Sequence, residues 1–339
     1  MKIKLETIAK KLKISGTTVS RALRNHPGIS DETRTAVIET ANRLGYKVSY
    51  SHKGRKLHAE SASLKIIALI SGSPNIDNMN PITHEMLKGV SDALNMFNGQ
   101  LTIDFINDER ANEMSFHSKL STFDGAIFIH RFADTTVKKI SEIIPCVSSN
   151  YRYELPYVDS TAGQDIEHMA FLVKYLHEMG HSNIGYIDVE RPHPRAEERY
   201  IGFITGLLRL GIAANRTDLN IMNENFPDQA SKFSFALKKI QQKKVTAWAC
   251  GNDYSAFRFA EFLIKNGIKV PDDVSITGFA GLSFPNEDIK LCTFKIPFEE
   301  IGREAAKHLV DRIKLPGSPA RQTLIDCEFI KGNTVKKLS

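Results

Sequence analysis

The chain has 339 residues, of which 42% are hydrophobic and 25% are charged, and its formal net charge is +6. This length predicts two or three domains, and the composition is typical of a globular protein with a large core. No run of 18 or more apolar residues occurs, and charges interrupt every short apolar run near the N-terminus. We therefore expect neither a membrane-spanning helix nor a signal peptide.

The first two predicted elements are short helices joined by a tight turn. Apolar residues recur at helical spacing in both, at Leu5, Ile8, Ala9 and Leu12 and then at Val19, Ala22 and Leu23. Ser15 is a candidate cap for the second helix, because its hydroxyl can accept a free N–H of the first turn. The outward side of that helix carries Gly16, Thr17, Ser20, Arg21 and Arg24. This pattern predicts either a DNA-binding helix-turn-helix or a plain helical hairpin with a solvated basic face.

A third predicted helix and the distribution of charge favour the helix-turn-helix. Ser30 can cap the third helix, and Asp31 and Glu32 lie in its first turn, where the helix dipole favours acids. The first 60 residues hold 13 Lys and Arg against 5 Asp and Glu, a charge of +8, so the other 279 residues carry −2. A basic head on a nearly neutral body is typical of a protein that contacts phosphates.

The run from Thr7 to Tyr46 resembles the headpiece of the lactose-repressor (LacI/GalR) family of bacterial transcription regulators. The matching signatures are TVSRAL at 18–23, ISDETR at 29–34 and LGY at 44–46. The resemblance implies that Gly16, Thr17 and Arg21 occupy the base-reading positions. The family usually has Gly in the turn, where this chain has Lys13, and a left-handed backbone at a non-Gly residue would cost on the order of 1 kcal/mol.

Residues 47–64 are polar, basic and Ser-rich, and they predict a linker. In the family this segment is a hinge helix that is ordered on DNA and inserts a Leu into the minor groove. Val48 and Ser49 stand at the family's Pro and Asn positions, Arg55 stands at the Leu position, and Leu57 is the nearest substitute. Gly54 weakens any helix here by about 1 kcal/mol. A flexible tether and a functional hinge both remain open.

From residue 65 onwards, short apolar runs alternate with longer helical patterns, which predicts parallel sheets covered by helices. The strand-like runs are Lys65–Ser71, Leu101–Ile106, Gly125–His130, Ile144–Ser148, Asn183–Asp188, Val245–Cys250 and Val274–Phe279. The helical patterns are Ile82–Phe97, Gln164–Met179, Ala196–Leu210, Ser255–Lys265 and Glu299–Ile313. These units are too many for one small sheet, so we expect two doubly wound subdomains.

This α/β core resembles the effector-binding core of the same family, which is akin to periplasmic binding proteins. The matching landmarks are VDSTAG at 158–163, EMGHSNIGYI at 178–187, RYIGF at 199–203, GND at 251–253, VPDDVSITGF at 270–279 and CTFKIPFEEIGREAA at 292–306. The expected domains are therefore a headpiece at 1–46, a linker at 47–64 and a core at 65–336. The resemblance divides the core into an N-subdomain (about 65–160 and 294–322) and a C-subdomain (about 161–293 and 323–336).

Ligands of doubly wound sheets bind in the crevice at the carboxyl ends of the strands. The family's effector contacts fall on Asn150, Arg199, Asn252 and Phe298, and a small polar effector, a sugar or sugar derivative, is implied between the subdomains. The family's usual Asp after the GF pair is replaced by Ala280. We therefore expect either weaker selection of neutral sugars or a ligand with its own negative charge, paired with Arg199.

One motif points to different chemistry. His177–His181 matches the HExxH pattern of zinc proteases, which needs both histidines on one face of a continuing helix. Gly180 is a natural helix terminator and a strand is expected next, so His181 should lie beyond the helix. We expect no metal site, no cofactor and no enzymatic activity. The four cysteines are far apart within apolar runs, which indicates buried reduced thiols and a cytoplasmic protein.

The sequence therefore predicts a ligand-responsive, sequence-specific DNA-binding regulator, a repressor of carbohydrate-related genes that binds near-palindromic operator DNA at the nucleoid. The alternative is a sugar-binding protein, cytoplasmic or of the transport type, without an operator. A homodimer is expected, because one headpiece covers only a half-site. The last ten residues carry no heptad leucines, which does not favour a coiled-coil tetramer.

Overall fold

The computed structural model describes residues 5–23, 29–44, 63–72, 79–155, 157–188, 194–212, 220–221, 226, 228–284, 288–315 and 317–338. The chain divides into two compact units. The first contains Met1–Thr161 and Glu299–Thr323, and the second contains Ala162–Phe298 and Leu324–Ser339. No helix within the described ranges is both long and apolar enough to cross a membrane.

Three short helices form the headpiece: α1 (Leu5–Leu12), α2 (Gly16–Leu23) and α3 (Asp31–Arg43). Their shared core consists of Ile8, Ala9, Val19, Ala22, Val37 and Ala41. The hydroxyl of Ser15 accepts the N–H of Thr18 at 2.9 Å, and that of Ser30 accepts the N–H of Thr33 at 3.3 Å. Both predicted caps and all three predicted helices are confirmed.

Lys13 lies in the turn between α1 and α2 with a φ of 53°. This is the left-handed conformation that a side chain disfavours, so the turn geometry of the family is kept without its glycine. The linker prediction at 47–64 falls almost entirely outside the described residues, as does Leu57. Ser63 and Leu64 are the exceptions, and Leu64 begins the first strand of the core rather than ending the linker.

The first unit contains a six-stranded sheet in the order β11-β5-β4-β3-β1-β2. Its strands are β1 (Leu64–Ser71), β2 (Gly99–Ile106), β3 (Gly125–Phe128), β4 (Cys146–Ser149), β5 (Val158–Gly163) and β11 (Gln322–Ile325). Its helices are α4 (Pro81–Met96), α5 (Met114–Leu120), α6 (Asp134–Ser141) and α11 (Phe298–Lys314). Strands β1 to β5 pair in parallel, and the strand order reverses between β1 and β3.

The second unit contains a four-stranded parallel sheet in the order β7-β6-β8-β9. Its strands are β6 (Ile184–Ile187), β7 (Asn220–Ile221), β8 (Ala247–Cys250) and β9 (Ser275–Thr277). Its helices are α7 (Asp165–Glu178), α8 (Pro194–Arg209), α9 (Gln229–Gln241) and α10 (Asp253–Lys265). Here the order reverses between β6 and β8, so this unit has its own topological switch point.

The chain returns to the first unit later than the resemblance implied. Residues 294–298 were expected in the N-subdomain, but they belong to the second unit. The reason is an antiparallel pair within that unit, formed by β10 (Thr293–Lys295) and β12 (Glu328–Ile330). Phe294 stands opposite Phe329 in this pair, and their rings lie 5.5 Å apart. This contact holds the segment in the second unit's core.

The HExxH pattern is broken as expected. Helix α7 ends at Glu178, and Gly180 follows with a φ of 94°, which turns the chain away. His181 is buried beyond the helix, where Nδ1 lies 3.0 Å from the Thr246 hydroxyl and Nε2 lies 3.1 Å from the Lys336 carbonyl. Within the described ranges, no group of three His, Cys, Asp or Glu could hold a metal ion.

The cysteines are all free, as the spacing predicted. Cys146, Cys250 and Cys292 are buried, and burial raises the pKa of the Cys250 thiol well above its ordinary value. Cys327 departs from the prediction, because it lies between β11 and β12 and is only half-buried. Burial nevertheless raises the pKa of its thiol to about 12.

The left-handed Lys13 gives a testable consequence. Replacing Lys13 by Gly removes the strain of a left-handed backbone, about 1–2 kcal/mol. It also makes folding less favourable by up to about 1 kcal/mol, because the unfolded chain gains conformational entropy. We expect a net stabilisation of about 0.5–1 kcal/mol, seen as a two- to fivefold slowing of amide exchange in α1 and α2 of the full chain. The matched control is Lys10→Gly, which makes the same change inside α1 and should destabilise the helix by about 1 kcal/mol. Equal destabilisation by both variants would contradict the strain at Lys13.

Candidate DNA interface and effector site

The exposed face of α2 contains the side chains expected to read DNA. Gly16, Thr17 and Arg21 are exposed, and Ser20 is half-buried. Val19 and Ala22 on the opposite face are buried in the headpiece core. No atom outside its chain neighbours lies within 4 Å of where a Cβ on Gly16 would be, so this end of α2 is open and carries only backbone. The polar surface of the helix therefore depends on Thr17, Ser20 and Arg21.

In the first unit, polar groups gather at the carboxyl ends of the two strands that flank the switch point. Ser71 ends β1, and His130 follows β3. His130 Nε2 lies 2.9 Å from the hydroxyl of Thr83, a residue in the first turn of α4. Burial lowers the pKa of His130, which favours a neutral imidazole in this position. The neutral ring offers one donor and one acceptor.

Asn150 follows β4 in the same unit. It has a φ of 71°, in the left-handed region that Asn tolerates better than most residues, and its N–H donates to the Thr161 carbonyl at 2.6 Å. Its side-chain Oδ1 is buried and makes no hydrogen bond within the described part of the chain. A buried amide oxygen without a partner is a point where a ligand donor would be stabilising.

In the second unit, Arg199 of α8 is held by the carboxylate of Asp165, the first residue of α7. Arg199 Nε donates to Asp165 Oδ2 at 2.8 Å, and Arg195 forms an ion pair with the other carboxylate oxygen. Asp165 is fully buried, and both arginine side chains are at most 10% exposed. Burial opposes the charge on Arg199, but the carboxylate of Asp165 outweighs it and raises the arginine's pKa.

The rest of the Arg199 guanidinium is also engaged. Its Nη1 donates to the Gly251 carbonyl at 2.9 Å, and its central carbon lies 4.6 Å from the centre of the Phe279 ring. Gly251 follows β8 and Phe279 follows β9, so Arg199 spans the carboxyl ends of two neighbouring strands. The fork that sequence reasoning assigned to a ligand is in this structure used by the protein itself.

Asn252 comes directly after Gly251 and caps α10. Its Oδ1 accepts the N–H of Ser255 at 2.8 Å, whereas its Nδ2 is buried and has no hydrogen-bond partner within the described residues. The side chain is only 6% exposed. Such a donor is costly to leave unpaired, at about 1–3 kcal/mol. Asn252 and Arg199 are therefore brought together through Gly251, and the described residues use neither of the two N–H donors of Asn252 Nδ2.

Phe298 and Ala280 have different surroundings. Phe298 is buried at the first position of α11, and Ala280 is buried after β9 with a φ of 137°. The loop at Ala280 is fixed by Asp253, whose carboxylate accepts the N–H of Leu282 at 2.7 Å and the hydroxyl of Thr293 at 2.7 Å. Burial raises the pKa of Asp253. These two hydrogen bonds hold the loop in place, and it carries the methyl group of Ala280 where the resemblance implies an acid.

Sequence reasoning missed two polar residues at the switch points, His130 and Asp188. Both were included as the last residues of predicted strands, Gly125–His130 and Asn183–Asp188, whereas the strands themselves end at Phe128 and Ile187. The signal that could have revealed them is a titratable residue at the carboxyl end of an apolar run, next to the place where the strand order reverses.

Comparisons with known protein families agree with this architecture. The family model described as bacterial regulatory proteins, lacI family, matches residues 4–49, and the model of a periplasmic binding protein-like domain matches residues 173–335. These matches cover 46 and 163 residues, together 209 of the 339. The first match includes the whole headpiece, which argues against a sugar-binding protein of the transport type.

The similarity to characterised proteins extends over the full length. The chain is 28% identical over 342 residues to the HTH-type transcriptional repressor CytR of Escherichia coli K12, with 97% of this chain and 96% of CytR aligned. A solved complex of the transcriptional regulator CelR with cellobiose has a TM-score of 0.66 at 19% identity, over 98% of this chain and 100% of that one.

A second solved structure, the lac repressor dimer bound to operator and the anti-inducer ONPF, has a TM-score of 0.64 at 18% identity, over 99% of this chain and 100% of that one. Both solved structures share the fold of this chain. The headpiece, the α/β core and the full-length similarity lead to one conclusion: the chain belongs to the lactose-repressor (LacI) family of bacterial transcriptional regulators.

Proposed function

We propose that the protein represses transcription by binding a near-palindromic operator as a homodimer, and that a small polyhydroxylated effector changes its affinity for that operator. The observation that carries the DNA-binding part is the capped helix α2, whose exposed face holds Thr17 and Arg21 while its other face closes the headpiece core. The proposed site of action is the cytoplasm, at the nucleoid.

Arg21 is the strongest candidate for base recognition, because a guanidinium can donate two parallel hydrogen bonds to a guanine. We expect Arg21→Ala to cost about 1–3 kcal/mol of specific operator affinity, with a smaller effect on random DNA. Fluorescence anisotropy with operator and scrambled duplexes measures both losses. The control is Lys11→Ala in α1, an exposed basic residue whose loss should weaken both complexes alike. Equal losses on both duplexes for Arg21→Ala would reduce its role to phosphate contact.

A homodimer follows from the size of the reading surface, because one short helix contacts only a half-site. Light scattering of the full chain at micromolar concentration should give twice the chain mass of 38.0 kDa. Titrations with operator and half-operator duplexes then test whether both headpieces bind one duplex. If they do, the full operator should be bound far more tightly than the half-operator. A monomeric mass, or a stable tetramer, would contradict this proposal.

The effector part of the proposal rests on the unpaired Nδ2 of Asn252 at the switch point of the second unit. Arg199, Asn150 and Phe298 remain proposed effector contacts. Arg199 pairs with Asp165 at 2.8 Å, and Arg195, which shares that carboxylate, also pairs with Glu198 at 2.9 Å. Two carboxylates therefore match the two cations, and Arg199 does not require an anionic ligand. This balance favours a neutral polyhydroxylated ligand over one with its own negative charge, the second possibility that the sequence left open.

Ligand charge can be tested directly. We expect neutral sugars to bind the full chain more tightly than the corresponding sugar phosphates and sugar acids, because a second anion near Asp165 would meet no unbalanced cation. Trp248 is the chain's one tryptophan and lies in β8, three residues before Gly251, so its emission can follow the titration. Operator affinity is measured with each ligand. Tighter binding of an anionic derivative than of its neutral parent would contradict the proposed ligand class.

An effector can change operator affinity only as far as it binds one conformation of the protein better than another. A sugar that shifts Trp248 emission and leaves operator affinity unchanged would therefore show binding without regulation. That result would retain the binding site and reject its proposed regulatory role.

A further inference from the structure

Three lysines surround the turn between α1 and α2. Lys10 and Lys11 lie in the last turn of α1, and Lys13 lies in the turn itself. All three side chains are exposed. Among the residues that the structure describes, none forms an ion pair with any of these three ammonium groups. The turn therefore presents three positive charges to the solvent, directly before the helix that carries Thr17 and Arg21.

The backbone of Lys13 is held by the way α1 ends. Its N–H donates to the Lys10 carbonyl at 3.4 Å, and the N–H of Ile14 donates to the Ala9 carbonyl at 3.1 Å. These two bonds form the pattern with which helices commonly end on a left-handed residue. Ile14 packs against the headpiece core, to which Ala9 belongs. The backbone and the core thus fix where Lys13 stands relative to α2.

A lysine in this conformation also occurs in the second unit. Lys243 follows α9 with a φ of 56°, its N–H donates to the Ile240 carbonyl at 2.8 Å, and its side chain is exposed. A cation at the end of a helix is favoured by the helix dipole, by about 0.3–1 kcal/mol. The left-handed backbone alone therefore does not assign Lys13 a role in binding. What distinguishes Lys13 from Lys243 is its position beside α2.

The geometry of a helix-turn-helix places the turn close to phosphates. The second helix lies in the major groove with its N-terminal residues at the base edges, and the first helix crosses the DNA backbone. The turn joins these two helices, so it lies where the groove meets the backbone. Of its other residues, Ile14 is half-buried in the headpiece core and Ser15 caps α2. Lys13 is the cationic side chain that extends outward from this turn.

We propose that Lys13 binds a phosphate of the DNA backbone at the edge of the major groove. Its ammonium group donates to a phosphate oxygen beside the bases that face α2, and Lys10 and Lys11 add to the positive potential there. Such a contact adds affinity for any sequence and carries no sequence information. It offsets in affinity, but not in specificity, the side chain that Gly16 lacks. This inference rests on the proposed DNA-binding function.

The experiment measures how the affinity of the full chain for a duplex of scrambled sequence depends on salt. Loss of one phosphate contact reduces the slope of log affinity against log salt concentration by about 0.9. Fluorescence anisotropy between about 50 and 200 mM KCl compares wild type with Lys13→Gly, Lys13→Gln and Lys13→Arg. We expect the Gly and Gln variants to reduce the slope by about 0.9 for each bound headpiece, and the Arg variant to keep it.

The choice of variants separates a phosphate contact from a structural role. Lys13→Gly should stabilise the headpiece, so its weaker binding would not result from unfolding. Lys13→Gln keeps a long side chain on the left-handed backbone and removes only the charge. The matched control is Lys243→Gly, which removes the same charge from the same backbone conformation at the end of α9 and should leave the slope unchanged.

The outcomes distinguish this inference from the proposed function. If Lys13→Gly keeps the wild-type slope, Lys13 contacts no phosphate, and the inference is overturned while the DNA-binding proposal stands. The same holds if Lys13→Arg reduces the slope as much as Lys13→Gln, or if Lys243→Gly reduces it as much as Lys13→Gly. If wild type binds no duplex in this range of salt, the proposed function fails, and the inference fails with it.

Discussion

The second unit depends on the fully buried carboxylate of Asp165, which pairs with two buried arginines from one helix, one of which also pairs with Glu198. An isolated charge in such surroundings would cost several kcal/mol, so the three side chains are mutually required. This ion cluster also positions residues outside the two helices that contain it. Because Asp165 fixes the guanidinium of Arg199, that group can hold the Gly251 carbonyl and cover Phe279. Gly251, which precedes Asn252, and Phe279 are thus positioned by one ion cluster, so the proposed effector would meet a preformed surface.

The same cluster is continuous with an aromatic core. Arg199 lies over Phe279, whose ring is 6.1 Å from Phe294, and Phe294 contacts Phe171 at 5.4 Å. Phe294 stands in β10, shortly before the chain leaves the second unit, and its partner strand β12 follows the chain's return. Aromatic pairs of this kind contribute about 0.5–1.5 kcal/mol each beyond their burial. Arg199, a proposed effector contact, is therefore linked by packed aromatic rings to the segments through which the chain enters and leaves this unit.

Features that depend on neighbouring residues in the sequence were predicted well, and features that depend on distant residues were not. Helices with strong periodicity and a capping residue, such as α2 with Ser15, were predicted almost to the residue. Strands that are short, polar or at an edge carry few apolar positions, so β5, β7, β10, β11 and β12 were not predicted, and helices α5, α6 and α9 were missed as well. Because β10 was missed, the return of the chain to the first unit was placed five residues early. The side chain of Arg199 was assigned to a ligand because its partner, Asp165, is 34 residues away and no periodicity links the two. The position of Asp188 was not recognised for a similar reason. An apolar run in the sequence does not show whether its strand lies beside a switch point of the sheet.

The headpiece limits what a single copy can achieve. A good base contact contributes about 1–3 kcal/mol of discrimination, whereas specific sites are preferred over random DNA by about 4–10 kcal/mol. Gly16 contributes no side chain, so one α2 offers only Thr17, Ser20 and Arg21, and Ser20 is half-buried. Two such contacts would supply about 2–6 kcal/mol, which reaches only the lower part of the required preference even if both exposed side chains bind well. In the proposed homodimer, two headpieces acting on one operator would supply the rest of the preference, and this dependence on both would make regulation possible. A ligand need not touch the DNA-reading side chains, because any conformation in which the two cannot bind together loses the contribution of one entire half-site.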